Sequence, residues 1–245
     1  NIDVEAATKK GTFITIVDAG VERESVAENA VALLMTVIRQ TALASKEVKE
    51  GKWSERAKFV GYEIKDKIVG VIGFGNIGSR VGEILKNGFN AKLIAYDPYL
   101  RDEEIEKRGA QPVSLEVLLK NADIVSLNSI LNGSTYHMIS EKSFAIMKKG
   151  VFIVNAARGE LMDENSLIKA LDEGIIGGLG LGVIEGEPID KNHPLLAYKN
   201  VVITPHTSAY TYECIKGMGD KVVDDAVRVS KGEEPSNVIN RELLK

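Results

Sequence analysis

The stretch "IVGVIGFGNIGSRVGEILK", residues 68 to 86, constrains the fold more than any other part of the chain. Its first residues, Ile68 to Ile72, form a short continuous apolar run of the kind found in strands buried on both faces. The run meets Gly73, Gly75 and Gly78, and from Ile77 to Lys86 the apolar positions recur at helical spacing. A strand, a glycine turn and a helix in that order suit a dinucleotide. Gly73 permits the tight turn, Gly75 has no Cβ to block a pyrophosphate, and Gly78 lets the helix pack close to the strand. The amides of the helix start, near Asn76 and Ile77, then face negative charge with the helix dipole behind them. Nineteen residues past Gly78 a second strand ends in Asp97, followed by Pro98. A carboxylate there accepts two ribose hydroxyls and repels a 2′-phosphate, so the expected cofactor is NAD rather than NADP. Arg101, in "DPYLRD", would soften that exclusion unless it is a solvated loop charge.

The rest of the chain continues the alternation. Further strands are expected at 93–96, 124–127, 151–154, 178–181 and 201–203, and helices at 102–108, 115–121, 140–147 and 164–172. Apolar strands separated by helices imply a parallel sheet covered on both faces, an α/β fold of the Rossmann-type doubly wound class. Ahead of it, "ESVAENAVALLMTVIRQTALASKEVKEG" predicts one long helix over 24–51, with more apolar face than one domain needs. The ends differ: "VEAATKKG" reads as a short helix, "FITIV" as a strand, and 214–230 as an amphipathic helix before a polar tail. Neither end buries a core alone. The expected division is therefore residues 1–22 with 211–245 as the remnant of a discontinuous domain, and 23–210 as the dinucleotide-binding domain.

With 44% apolar residues in 245 and a net charge of −4, the chain has a full core and no basic footprint, so nucleic acid and anionic membranes are poor partners. The apolar stretch Val31 to Ile38 is far too short to span a bilayer, and no leader pattern is visible, which points to the cytoplasm. Cys214 has no internal partner and reads as a small buried hydrophobe. Three histidines and one cysteine without ligand spacing give no metal site.

Hydride transfer from a nicotinamide needs a group to move the accompanying proton. His137, in "STYHMIS", reads as a packing or capping residue, and His193, in "KNHPLL", as a surface turn. His206 follows the strand "NVVIT" on the edge where open α/β sheets bind ligands, and is the acid/base candidate. Strand ends of the same polarity offer Arg158, in "NAARG", and Glu185 and Glu187, in "GVIEGEP". An arginine fork suits a planar carboxylate, and a carboxylate beside an imidazole favours its charged form. Asn128, Ala156, Ala157 and Gly182, on neighbouring strand ends, complete with Arg158 and His206 the set expected along the cofactor.

Together "NIDVEAATKKG", "VAENAVALL", "GVIGFGNIG", "MKKGVFIVNAARGELMDENSLIKAL", "GVIEGEPID" and "NVVITPHTS" resemble the NAD-dependent D-2-hydroxyacid dehydrogenase family over nearly the whole chain. The resemblance implies a homodimer built largely on the nucleotide-domain surface, with the helix over 24–51 as the dimerisation helix, that interconverts a 2-keto and a 2-hydroxy acid, of the glyoxylate/hydroxypyruvate reductase or phosphoglycerate dehydrogenase kind. It assigns Arg158 to the substrate carboxylate and carbonyl, His206 to proton exchange and Glu187 to support of the histidine. It implies a flavodoxin-like substrate domain, here truncated, because family members begin well before the "NID" motif. It also places an aspartate where this chain has Gly182, to orient the nicotinamide carboxamide. Two other readings stay open at this point: an NAD(H)-sensing interaction protein, and a dinucleotide-binding fragment without its own activity.

Overall fold

The computed structural model of the chain describes residues 2–18 and 20–244. They form two compact units, one from Val26 to Ser208 and one from the residues up to Ser25 together with those from Ala209 onward. The division expected from sequence, 1–22 with 211–245, includes residues 1, 19 and 245, which lie outside the described residues.

The larger unit is built on seven parallel strands in the order β3-β2-β1-β4-β5-β6-β7. The strands are β1 (Ile68–Ile72), β2 (Lys92–Tyr96), β3 (Gln111–Pro112), β4 (Ile124–Leu127), β5 (Val151–Asn155), β6 (Ile176–Leu181) and β7 (Val201–Ile203). Between them run α4 (Asn76–Phe89), α5 (Asp102–Lys107), α6 (Leu115–Asn121), α7 (Glu141–Phe144) and α8 (Glu164–Asp172). Alternation along each strand divides the core in two. Val69, Val71, Phe152 and Val154 pack with Val81 and Leu85 of α4 on one face. On the other, Ile72, Leu127 and Ile153 pack with Leu118 of α6 and Leu167 and Leu171 of α8. The fold is thus α/β and Rossmann-type, and its strand ends lie in one row: Tyr96, Ile72, Leu127, Asn155, Leu181 and Ile203 are successive register partners. Every loop leaving that row starts from a common edge.

The predicted long helix 24–51 is two helices, α2 (Arg23–Ile38) and α3 (Thr41–Lys49), separated at Gln40, whose φ is +54°. Tertiary contacts impose the break. The Tyr62 N–H donates to Ile38 O, and Gln40 Nε2 donates to Val60 O, so the segment 60–62 takes the place of the next helical turn. The apolar face of α2 is also satisfied within its own unit. A Cβ on Gly178 would lie 3.2 Å from Val37 and one on Gly180 3.0 Å from Leu33, so these strand glycines let α2 lie close on β6. Two further corrections are local: β3, too short to show a pattern, was not expected, and the helix expected over 140–147 keeps only α7.

The smaller unit contains α1 (Val4–Lys9) and α9 (Tyr212–Ser230). "FITIV" does not form a full strand; it makes one antiparallel bridge, Thr15 to Val238, flanked by Ile16 N–H to Asn237 O and Ile239 N–H to Ile14 O. Buried Asn240 fastens this pairing by accepting from the Ile14 N–H and donating to Thr8 Oγ1 and Thr12 O. Cys214 is buried, as its sequence reading expects. Asp225, also buried, is paired with Lys221 and accepts from the Ser236 N–H and hydroxyl. Burial pushes its carboxyl up, but Lys221, Ser236 and Thr15 outweigh this and hold it well below the usual carboxylate range. A depressed folded-state pKa gives stability that is present above the unfolded value and lost as pH falls toward the folded one. Asp225→Asn should therefore cost about 3 kcal/mol near neutral pH and progressively less below about pH 4. Chemical denaturation at both pH values checks this, and an equal loss at each would contradict it.

Candidate functional site

The glycine loop is held from both sides. Its Phe74 N–H donates to Asp97 Oδ2 at 2.8 Å, and its Phe74 C=O accepts from Arg108 Nη1 at 2.6 Å. Gly73, at φ +83°, turns the chain against the backbone of Asn128 and Ser129, where a Cβ would come within 2.7 Å. At Gly78 a Cβ would lie 1.9 Å from Gly73 O, so α4 approaches the loop as closely as only glycine permits. Gly75 has nothing within 4 Å of its Cβ position. It faces a cavity of about 540 Å³ lined in part by Gly73, Asn76, Asp97, Pro98 and Asn128. The cavity lies where β1 separates β2 from β4, the point at which the strand order reverses. No acidic side chain stands in the first turn of α4 and no side chain caps it, which leaves its first amides to a ligand. A cradle that admits no Cβ at two positions and stays open at the third fits a dinucleotide pyrophosphate.

Ile77 and Gly78 do not line this cavity; Gly78 is buried and acts through packing. Asp97 is more engaged than the sequence reading supposes, since Oδ1 also accepts the Tyr99 N–H. Each carboxylate oxygen keeps a second lone pair for a ribose hydroxyl. Arg101 turns back to Glu104 at 3.3 Å, in agreement with a solvated loop charge. Arg108 was not singled out from sequence, and nothing in its local pattern marks it; only the fold carries it to Phe74.

Ala156, Ala157, Arg158, Gly182 and His206 lie outside that cavity, beyond the ends of β5, β6 and β7. Buried Asn155 shapes the first of these turns, with Oδ1 accepting the Ala157 N–H and Nδ2 donating to Arg158 O. An asparagine closing a buried apolar strand is the sequence signal for such a turn. Arg158 is exposed, and its Nη1 donates to Ala157 O. After β7 the Thr204 N–H still donates to Leu181 O, Pro205 ends the ladder, and His206 turns with φ +54°. For a residue other than glycine that conformation costs about 1 kcal/mol or more. It sets Nδ1 2.7 Å from Glu187 Oε2, while Glu187 Oε1 accepts the Ile184 N–H. Burial pushes the Glu187 carboxyl up, but His206, the Ile184 N–H and the charge of Arg158 outweigh it and hold it below the usual range.

Glu185, the other carboxylate considered, pairs with His137 instead. His193 caps a short turn through Leu195 N–H to Nδ1, with Nε2 bound to Glu164. At Gly182 a Cβ would lie 2.7 Å from Ser208 Oγ, which accepts from Asn29 Nδ2. The Ser208 hydroxyl therefore fills the space beside this strand end. Among the described residues no group of histidine, cysteine and acidic side chains is arranged to hold a metal. No helix among them is long and apolar enough to cross a membrane.

Comparison with known proteins decides the family. The profile of the D-isomer specific 2-hydroxyacid dehydrogenase, NAD binding domain, matches residues 31–208. The chain belongs to the D-isomer-specific 2-hydroxyacid dehydrogenase family. It is 40% identical over its whole length to a glyoxylate reductase of Thermococcus litoralis, of which it covers 75%. Its structure matches a glyoxylate reductase from Paecilomyes thermophila with a TM-score of 0.86 at 34% identity, covering 98% of this chain and 72% of that one. It also matches D-lactate dehydrogenase from Aquifex aeolicus, solved with NAD and lactic acid, with a TM-score of 0.85 at 32% identity, covering 97% and 76%. The chain thus spans about three quarters of the length of these relatives. It is an NAD-binding oxidoreductase of 2-hydroxy and 2-keto acids, and this supports the enzyme over a cofactor sensor.

Proposed function

We propose that this dehydrogenase reduces a small 2-keto acid, glyoxylate foremost, and that Arg158, Glu187 and His206 carry the reaction. The observation behind this is the 2.7 Å Glu187–His206 bond, with the charge of Arg158 acting on the same carboxylate. The pair stands on the sheet edge that also carries the glycine loop. Glyoxylate is favoured because several of the relatives are named glyoxylate reductases. Gly73, Gly75, Asn76, Asp97, Pro98 and Asn128 would hold the adenosine and pyrophosphate end of NAD. Ala156, Ala157 and Gly182 would flank the nicotinamide.

NADH, when bound, supplies the hydride that reduces the keto carbon. The Arg158 guanidinium pairs with the substrate carboxylate and polarises its carbonyl. His206, with Nδ1 bound to Glu187, gives a proton from Nε2 to the carbonyl oxygen as charge develops there. Glu187 fixes the tautomer and stabilises the charged ring. Turnover of NADH with glyoxylate, hydroxypyruvate, pyruvate and phosphohydroxypyruvate tests the reading. Glyoxylate should give the highest kcat/KM, and tight NADH binding with no turnover of any of them would defeat the proposal.

Because Glu187 Oε2 holds the His206 ring through Nδ1 at 2.7 Å, Glu187→Gln should lower kcat by about tenfold to a hundredfold with NADH affinity kept. A wild-type kcat would remove Glu187 from this role. Association as a homodimer is part of the same proposal. Its support is the exposed apolar side chains of the segment after α3, Trp53 at 69% and Val60 at 75%, rather than the face of α2.

A further inference from the structure

His137 stands outside the residues assigned above, yet the structure gives it an unusual setting. Its φ of +50° lies in the left-handed region, which a residue other than glycine rarely adopts and which persists only where the surroundings fix it. Both ring nitrogens face carboxylates. Nε2 is 2.9 Å from Glu185 Oε2, and Nδ1 is 3.5 Å from Asp163 Oδ2. The ring of Tyr136 stacks on it with centroids 3.9 Å apart, and the Tyr136 hydroxyl donates to Glu185 Oε1. The backbone of His137 is engaged separately, its N–H donating to Glu160 O at 2.8 Å. The next turn repeats the attachment, with Ile139 N–H to Leu161 O and Asp163 N–H to Ile139 O.

These contacts bear on two different loops. Glu160 lies two residues after Arg158, and Glu185 two residues before Glu187. The loops themselves touch backbone to backbone: a Cβ on Gly159 would lie 2.0 Å from the Ile184 carbonyl carbon and 2.1 Å from the Glu185 nitrogen. The Ile184 N–H in turn holds Glu187 Oε1, whose other oxygen holds His206. A single residue thus grips the guanidinium-bearing loop by its main chain and the carboxylate-bearing loop by its ring.

We propose that His137 is a positioning residue for the reaction, a clamp that fixes the Arg158 loop and the Glu185–Glu187 loop at one separation and so holds the Glu187–His206 pair in register with Arg158. The assignment rests on the proposed roles of those three residues. Its physical basis is that small misplacements of reacting groups are expensive in rate. The groups facing the His137 ring are Glu185, Asp163 and Tyr136. His206 faces Glu187, on which Arg158 also acts.

The chain has three histidines, so their ring signals can be followed individually by NMR. In His137→Ala the kcat for 2-keto acid reduction should fall by about tenfold to a hundredfold, with NADH affinity kept. The NMR signals of the His206 ring, which is bound to Glu187, should shift toward their positions in Glu187→Gln. His137→Gln, which keeps a donor near the Nε2 position, should recover part of both effects. Glu185→Ala releases the same clamp from its other end and should give the same signature, so the proposal stays testable if His137→Ala does not fold. A wild-type kcat, or a lowered kcat with unmoved His206 ring signals in both His137→Ala and Glu185→Ala, overturns it. Failure of the underlying reading is distinguishable, because His206→Ala would then retain turnover whatever His137 does.

Discussion

His206→Ala is expected to lower kcat for 2-keto acid reduction by about 10²- to 10⁴-fold while NADH still binds. The range is that of a single general acid, and the geometry explains why no neighbour replaces it. Among the histidines, His137 is committed to Glu185 and His193 to Glu164. Glu187 is held below the usual carboxylate range and carries no proton to give at neutral pH. The cavity proposed for the adenosine end lies at the loops after β1, β2 and β4, and His206 does not line it, so affinity should survive. Stopped-flow reduction and NADH fluorescence titration separate the two quantities. Loss of affinity together with rate would mean that the histidine is misplaced in this account.

Arg158→Gln should reduce kcat/KM by about 10²- to 10³-fold, the loss expected when a donor to a developing oxyanion is removed. The substrate carboxylate loses its fork at the same time, so KM should rise as kcat falls. Lysine should rescue little, since a point charge does not reproduce two parallel N–H donors. The guanidinium is exposed and donates through Nη1 to the Ala157 carbonyl, and buried Asn155 forms the turn that presents it. Substitution therefore removes chemistry rather than core packing, and unfolding midpoints should stay close to wild type. A variant with wild-type kcat/KM would take Arg158 out of the substrate site.

Much of this architecture was legible because its causes are local. The apolar run 68–72 can be buried only between two layers, and the glycines after it admit a close helix and an anion together. Asp97 was legible for the same reason, although not its bonds to Phe74 and Tyr99, which depend on the folded loop. The features that escaped are those fixed from a distance. Nothing in "VIRQTALAS" predicts the end of α2 at Ile38, because the group that ends it is the Tyr62 N–H, brought back by the chain between. Arg108 reaches the glycine loop from the far end of α5, and its spacing carries no signal. His137 reads as a packing or capping residue until its backbone angle and its two carboxylates are seen together. Gly182 shows the reverse case: the missing side chain was visible, but the Ser208 hydroxyl that occupies the space, itself bound by Asn29, was not.

The central claim is that one row of strand ends brings a bound nicotinamide beside the His206 imidazole. Its most direct test is an NMR titration of the three histidine rings with NADH and then with oxamate as a mimic of the 2-keto acid. The His206 signals should move as NADH saturates and move again with oxamate, while those of His193, whose ring is bound to Glu164, stay in place. Saturable NADH binding that leaves the His206 signals unmoved at both steps would contradict it.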